Sequence, residues 1–312
     1  MPEVFADRLL AAVESKGAAV CVGLDPMYEM LPDAVAGEPA ARDPKNIEAC
    51  IDAVLEFGTA LLRVVAPLVP VVKLQSAWFE KYLWEGVETY YSLVQEAEEL
   101  GLLVIGDVKR GDIGTTCAAY ADGHLADPPF DELGSVVVPD AITVNPFCGL
   151  DTLGPFLNTA RDYGKGLFVL VRTSNPGSAE LQDAVLDDGR TWSEMLADRL
   201  AVLAEQQGLI GDSGFSSVGA VVGATQPHTM QSLRRRLPKS FFLLPGYGAQ
   251  GATAEMTRAA FVNGQGALVS ASRSVIYAHR DPRYSHLSDW KQAVQQAVID
   301  MKADVNRVVS GG

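Results

Sequence analysis

Two aspartates and a lysine fall at D-x-K-x-x-D within "IGDVKRGDIGTTCAAYA", residues 105–121. Asp107, Lys109 and Asp112 stand where an apolar strand pattern gives way to a helical one. Side chains alternate along a strand, so Asp107 and Lys109 share a face while Val108 takes the other. A folding chain gains little from crowding those charges together. Two plainer readings compete: Asp112 as the N-cap of the next helix, and Asp107 with Lys109 as an ion pair at a sheet end. Other strand ends weigh against them. Asp25 closes "VGLDP" and Lys73 lies near the end of "VVKLQSA". Buried charge is costly unless paired and hydrogen-bonded, so four charges of alternating sign at strand ends point to chemistry.

A second cluster is formed by "LLPGYGAQGAT" (243–253) and "LVSASRSVIYA" (268–278). Gly246, Gly248 and Gly251 allow close backbone approach, and Arg273 offers a forked donor matched to phosphate. A Gly-rich turn beside a surface arginine is the plainer alternative. Both stretches follow predicted strands, the seventh and eighth, where barrels commonly bind phosphate.

The positioning elements can be read from the same chain. Apolar, β-branched runs predict eight strands, at 18–25, 69–75, 102–109, 141–146, 166–173, 218–224, 240–246 and 266–272. Helical patterns lie between most of them, for example at 46–66, 78–100, 113–126, 191–207 and 253–263. Eight βα repeats predict a (β/α)8 TIM barrel, with residues 1–312 as a single domain and a C-terminal helix at about 286–308. A doubly wound sheet is the runner-up, but no G-x-G-x-x-G follows the first strand. Three segments exceed the usual connection: 25–45, 127–139 and 174–190. The first and last follow strands directly, on the face where barrels build active sites.

Composition bounds the partners. The 312 residues carry a formal net charge of -14 with a pI near 4.7, and such a surface repels nucleic acid and anionic membranes. An anionic substrate must therefore be caught by local donors. Cys21, Cys50, Cys117 and Cys148 are scattered, which predicts neither a disulfide framework nor a zinc site. His124, His228, His279 and His286 show no ligand spacing, and Asn145 is expected at the mouth without an assigned role. The acidic N-terminus is unlike a signal peptide and no apolar run reaches membrane-spanning length, so a soluble cytoplasmic protein is expected.

From Asp25 to about Tyr277 the chain resembles orotidine 5'-phosphate decarboxylase, in particular its longer, type 2 subgroup. "DVKRGDI" matches the D-x-K-x-x-D-[IV] signature, while "TSNPG", "PGYGAQG" and "SRSVIY" match independently. The resemblance implies decarboxylation of orotidine 5'-phosphate to UMP and CO2 without metal or cofactor, in the last step of de novo pyrimidine nucleotide synthesis. It implies that Lys109 is the proton donor, flanked by Asp107 and Asp112, and that Asp25 and Lys73 hold ribose hydroxyls. Ser174 would contact the pyrimidine ring amide, and Gln250, Gly251 and Arg273 would hold the phosphate. It further implies a homodimer in which Asp112, with Ile113 and Thr116, reaches the neighbouring site. In the family the arginine usually follows Gly, whereas Arg273 follows Ser272, a poor substitute wherever positive φ is required. The two long insertions leave the closing lid unassigned. Related sugar-phosphate lyases share the motif but use it around Mg2+ with an acidic residue on strand 2, where this chain has Lys73. A catalytically silent phosphate-binding barrel is a further alternative, disfavoured by the intact Lys109.

Overall fold

The structure, a computed structural model, describes residues 2–310. Eight parallel strands close into a barrel in chain order: β1 (Val20–Leu24), β2 (Val71–Gln75), β3 (Leu103–Arg110), β4 (Ala141–Val144), β5 (Gly166–Arg172), β6 (Ser216–Val222), β7 (Ser240–Pro245) and β8 (Ala267–Ala271). Each falls within or beside a run predicted from sequence. Buried on both faces, these strands read as near-continuous apolar runs rather than as alternating ones.

Eight longer helices accompany the strands: α1 (Phe5–Lys16), α2 (Ile47–Val65), α3 (Leu83–Glu99), α4 (Gly114–Leu125), α5 (Gly154–Tyr163), α6 (Trp192–Ala204), α7 (Pro227–Arg236) and α8 (Trp290–Ser310). Two sequence patterns are interrupted. The 78–100 pattern splits into a turn at Ala77–Glu80 and α3, with Leu83 at φ +60 in the junction. The 253–263 pattern yields one helical turn at Ala254–Thr257 and a 3-10 turn at Arg258–Ala260, which ends where Phe261 turns extended (φ -90, ψ 143). The C-terminal helix starts at Trp290, since residues before it form short turns at Ala278–Arg280 and Pro282–Tyr284. Among the described residues no helix is long and apolar enough to cross a membrane.

The barrel interior is built in layers. At its lower end, Cys21, Val71, Ile105, Ala141, Phe168 and Leu268 form an apolar layer. Helix α1, whose role the sequence pattern does not announce, closes that end by inserting Phe5, Ala6 and Leu9. Phe5 meets Phe168 edge-on at 6.2 Å and lies over Gly166, where an added Cβ would come 2.1 Å from the ring. Two residues further along five of these six strands, the same inward face carries Gly23, Lys73, Asp107, Thr143 and Ser270, while β5 keeps the apolar Leu170, so a largely polar layer stands on an apolar floor.

Phe5→Ala would open a cavity in the floor. It is expected to cost about 3–5 kcal/mol of stability while leaving turnover below the melting transition unchanged. Urea denaturation alongside a rate assay checks this, and a loss under about 1 kcal/mol would show that α1 does not hold the barrel shut.

Candidate active site

The polar layer opens into a cavity of about 420 Å³ at the C-terminal ends of the strands. Among the residues selected from sequence, Asp25, Lys73, Asp107, Lys109, Ser174, Gln250 and Arg273 line it. Asp112, Ile113, Thr116 and Gly251 do not.

The parallel pairing sets the geometry. Gly23 pairs with Lys73 in register, and Gln75 pairs with Asp107, which sets the end of β2 beside the charged end of β3. Asp107, buried, accepts at both oxygens. Oδ2 takes Lys73 Nζ at 2.7 Å and Gln75 Nε2 at 2.9 Å; Oδ1 takes Lys109 Nζ at 2.5 Å and Thr143 Oγ1 at 2.8 Å. Burial alone would raise the Asp107 pKa, but the ammoniums of Lys73 and Lys109 outweigh it and hold the carboxyl well below the usual range. Burial likewise opposes the charge on Lys73, yet the carboxylates of Asp107 and Asp25 together keep its pKa above that of a free lysine. Asp25 Oδ1 lies 3.9 Å from Lys73 Nζ and is buried without a hydrogen-bond partner, an acceptor left facing the cavity. Tyr277 fixes this turn, since its hydroxyl donates to Asp25 O at 3.0 Å and accepts from Met27 N at 2.6 Å.

Lys109 departs from plain strand alternation. It takes φ +46, and the β3–β4 register shifts between Gly106 and Arg110. Its side chain, 43% exposed, nevertheless returns to the Asp107 face that alternation assigns it. Asp112 is not an N-cap: its Oδ1 accepts only from the adjacent Ile113 N, at 2.8 Å, and α4 has no side-chain cap. Ile113 is 64% exposed and Thr116 is exposed as well.

Across the cavity, the loop after β7 turns on Gly246, Gly248 and Gly251, all at positive φ. Tyr247 ties this loop to α8 by donating to Asp304 at 2.9 Å. Arg273 lines the cavity wall with no partner among the described residues, an unneutralised cation in an acidic protein. Ser272 sits at φ -118 and ψ -91, so no left-handed backbone is required before Arg273. Its space comes from Gly23, where a Cβ would approach Ser272 Cβ to 2.8 Å. Segment 174–190 is held by Arg172, which is buried and grips Asp183 at 2.8 and 2.9 Å. This places Ser174 at the rim.

Gln75, Thr143 and the Arg172–Asp183 pair have no role assigned from sequence. Alternation was the available signal for the first two: Gln75 lies two residues after Lys73, and Thr143 two before Asn145 in "AITVNP". Arg172 and Asp183 meet only through the folded loop. Among the described residues, no group of three or more His, Cys, Asp or Glu side chains could hold a metal ion.

Comparison with known proteins places nearly the whole chain among relatives. A family described as "Orotidine 5'-phosphate decarboxylase / HUMPS family" matches residues 18–286. The orotidine 5'-phosphate decarboxylase of Rhodopirellula baltica is 40% identical over 303 residues, covering 95% of this chain and 97% of that one. That of Deinococcus radiodurans is 42% identical over 279 residues, covering 89% and 91%. The solved structure of Leishmania donovani OMP decarboxylase superposes with a TM-score of 0.69 at 28% identity, covering 99% of this chain and 100% of that one.

Because Asp107 titrates below its unfolded value, its contribution to stability is complete above about pH 5 and is lost as pH falls toward the folded pKa. Lys73→Met removes the largest opposing charge. It is expected to move the acid limb of the Tm–pH curve upward by about one unit; coincident acid limbs in parent and variant would contradict this assignment.

Proposed function

The chain belongs to the orotidine 5'-phosphate decarboxylase / HUMPS family, and from that premise we propose how it removes CO2 from orotidine 5'-phosphate in pyrimidine biosynthesis. The chain is a carboxy-lyase. In the proposed mechanism no metal or organic cofactor takes part. The bond from C6 to the carboxylate breaks, and its electron pair remains on C6. Lys109 stabilises that pair and protonates the carbon, leaving a neutral amine and UMP. The observation that carries the reading is the Lys73–Asp107–Lys109 network, which sets an ammonium at the cavity mouth on a fully hydrogen-bonded carboxylate.

The acids gain their effect from the difference between ground and transition states. Two like charges about 4 Å apart repel by about 4 kcal/mol at an effective dielectric near 20. Repulsion between Asp107 or Asp112 and the substrate carboxylate eases as neutral CO2 departs, while attraction to Lys109 grows. Only such differential terms raise the rate. Arg273 and Gln250, with amides of the Gly246–Gly251 loop, take the phosphate and supply binding energy remote from C6. Asp25 and Lys73 take the ribose hydroxyls, and the free, buried Asp25 oxygen supports that assignment. Ser174 meets the pyrimidine amide. Lys73, on the strand that carries an acidic ligand in Mg2+-using relatives, disfavours a divalent ion at this place.

The active form in this reading is a cytoplasmic homodimer with shared sites. Asp112, Ile113 and Thr116 lie outside their own cavity, and Ile113 is an apolar side chain left 64% exposed. An isologous contact would bury such a surface and carry Asp112 to the partner's substrate.

Lys109→Ala is expected to abolish decarboxylation while UMP binding and the fold survive; a rate within about tenfold of the parent would refute the role. Turnover is expected to persist in EDTA, and its loss there would favour a metal-using lyase. Mixed Lys109→Ala and Asp112→Asn chains are expected to recover about a quarter of parental activity at full random exchange, because each mixed dimer then holds one intact site. No recovery after confirmed exchange would place Asp112 in its own chain's site.

A further inference from the structure

Lys109 adopts a backbone conformation that L-residues avoid. Its φ is +46, and among the described non-glycine residues only Leu83 and Asn263 also take positive φ. A left-handed residue of this kind costs about 1–2 kcal/mol and persists only where its surroundings over-determine it. The β3–β4 register slips at the same place, so the ordinary ladder does not hold this residue.

What holds it is one side chain from the neighbouring strand. Lys109 N donates to Thr143 Oγ1 at 2.9 Å, Thr143 Oγ1 donates to Asp107 Oδ1 at 2.8 Å, and Lys109 Nζ donates to that same oxygen at 2.5 Å. Both ends of Lys109, its amide and its ammonium, thus close a ring through Thr143 and Asp107. The ring has a single direction. A hydroxyl has one proton, and Asp107 as a carboxylate can only accept it, which leaves a hydroxyl lone pair for the Lys109 amide. Thr143 is 1% exposed, and its branched side chain on the inner face of β4 has little rotamer freedom. Lys109, by contrast, has a side chain 43% exposed, free to wander were the ring open.

We infer that Thr143 is a positioning residue for decarboxylation: its hydroxyl pins the Lys109 backbone in the left-handed turn and thereby fixes where the ammonium stands above Asp107. This rests on the reading of Lys109 as the group that protonates C6. The substrate phosphate and ribose are held by other residues, so loss of the hydroxyl acts on the chemical step and not on binding. A displacement of about 1 Å in a catalytic group can cost about a hundredfold in rate.

The test compares Thr143→Val, which keeps the shape and removes the hydroxyl, with Thr143→Ser, which keeps the hydroxyl and removes the methyl. Steady-state kinetics on orotidine 5'-phosphate and calorimetric binding of UMP are measured for both. For Thr143→Val, kcat is expected to fall about ten- to a hundredfold, with KM and the UMP Kd within about threefold of the parent. Thr143→Ser is expected to recover most of the lost kcat. Thr143→Ala, measured beside them, is expected to show the valine variant's split and guards against a packing fault peculiar to valine. A valine variant within about twofold of parental kcat, or valine and serine variants equally impaired, overturns the inference. Lys109→Ala separates the two levels. If it is inactive while Thr143→Val is fully active, only the positioning role fails; if it still turns over, the lysine reading fails and this inference with it.

Discussion

The site depends on one carboxylate. Asp107 lies inside the barrel where an unpaired charge would be prohibitive, and it is tolerated because two ammoniums, an amide and a hydroxyl converge on its two oxygens. The partners come from three strands: Lys73 and Gln75 from β2, Thr143 from β4, and Lys109 from the end of β3 itself. Removing any one leaves the others holding a charge that is less well compensated. A network of this kind fixes geometry more than it adds stability, and fixed geometry is what an ammonium acting on carbon requires.

The barrel supplies the setting by dividing its interior along the axis. The floor is apolar and plugged by Phe5 from α1, so polar side chains two residues higher face a single exit. Lys73 and Asp107 are buried above that floor, where charge–charge interactions are stronger than in open solvent. Substitutions in the floor act on packing, whereas those in the upper layer act on charge placement and, through it, on stability at acid pH.

Around the mouth the loops differ in how they are held. The 174–190 segment is fastened to the end of β5 by the buried Arg172 and its two bonds to Asp183, which gives Ser174 a stable platform. The loop after β7 turns on three left-handed glycines and is moored to α8 through Tyr247 and Asp304.

The eight strands and most helices were legible in the sequence because period-2 and period-3.6 apolar patterns follow directly from backbone geometry, and because eight βα repeats admit few closures. The charges of Asp25, Lys73, Asp107 and Lys109 were legible too, since charge at a strand end is conspicuous against an apolar run. Uncharged partners were not: Gln75 and Thr143 are unremarkable in composition and gain meaning only from register, which pairs Gln75 with Asp107 and carries Thr143 beside it. The left-handed turn at Lys109, the ordinary φ at Ser272 made possible by Gly23, and the outward direction of Asp112 were likewise decided by tertiary structure. Local sequence states which residues are available. Only the closed barrel, by bringing residues 34 and 36 positions apart into one hydrogen-bonded ring, decides which of them must bear each other's charge.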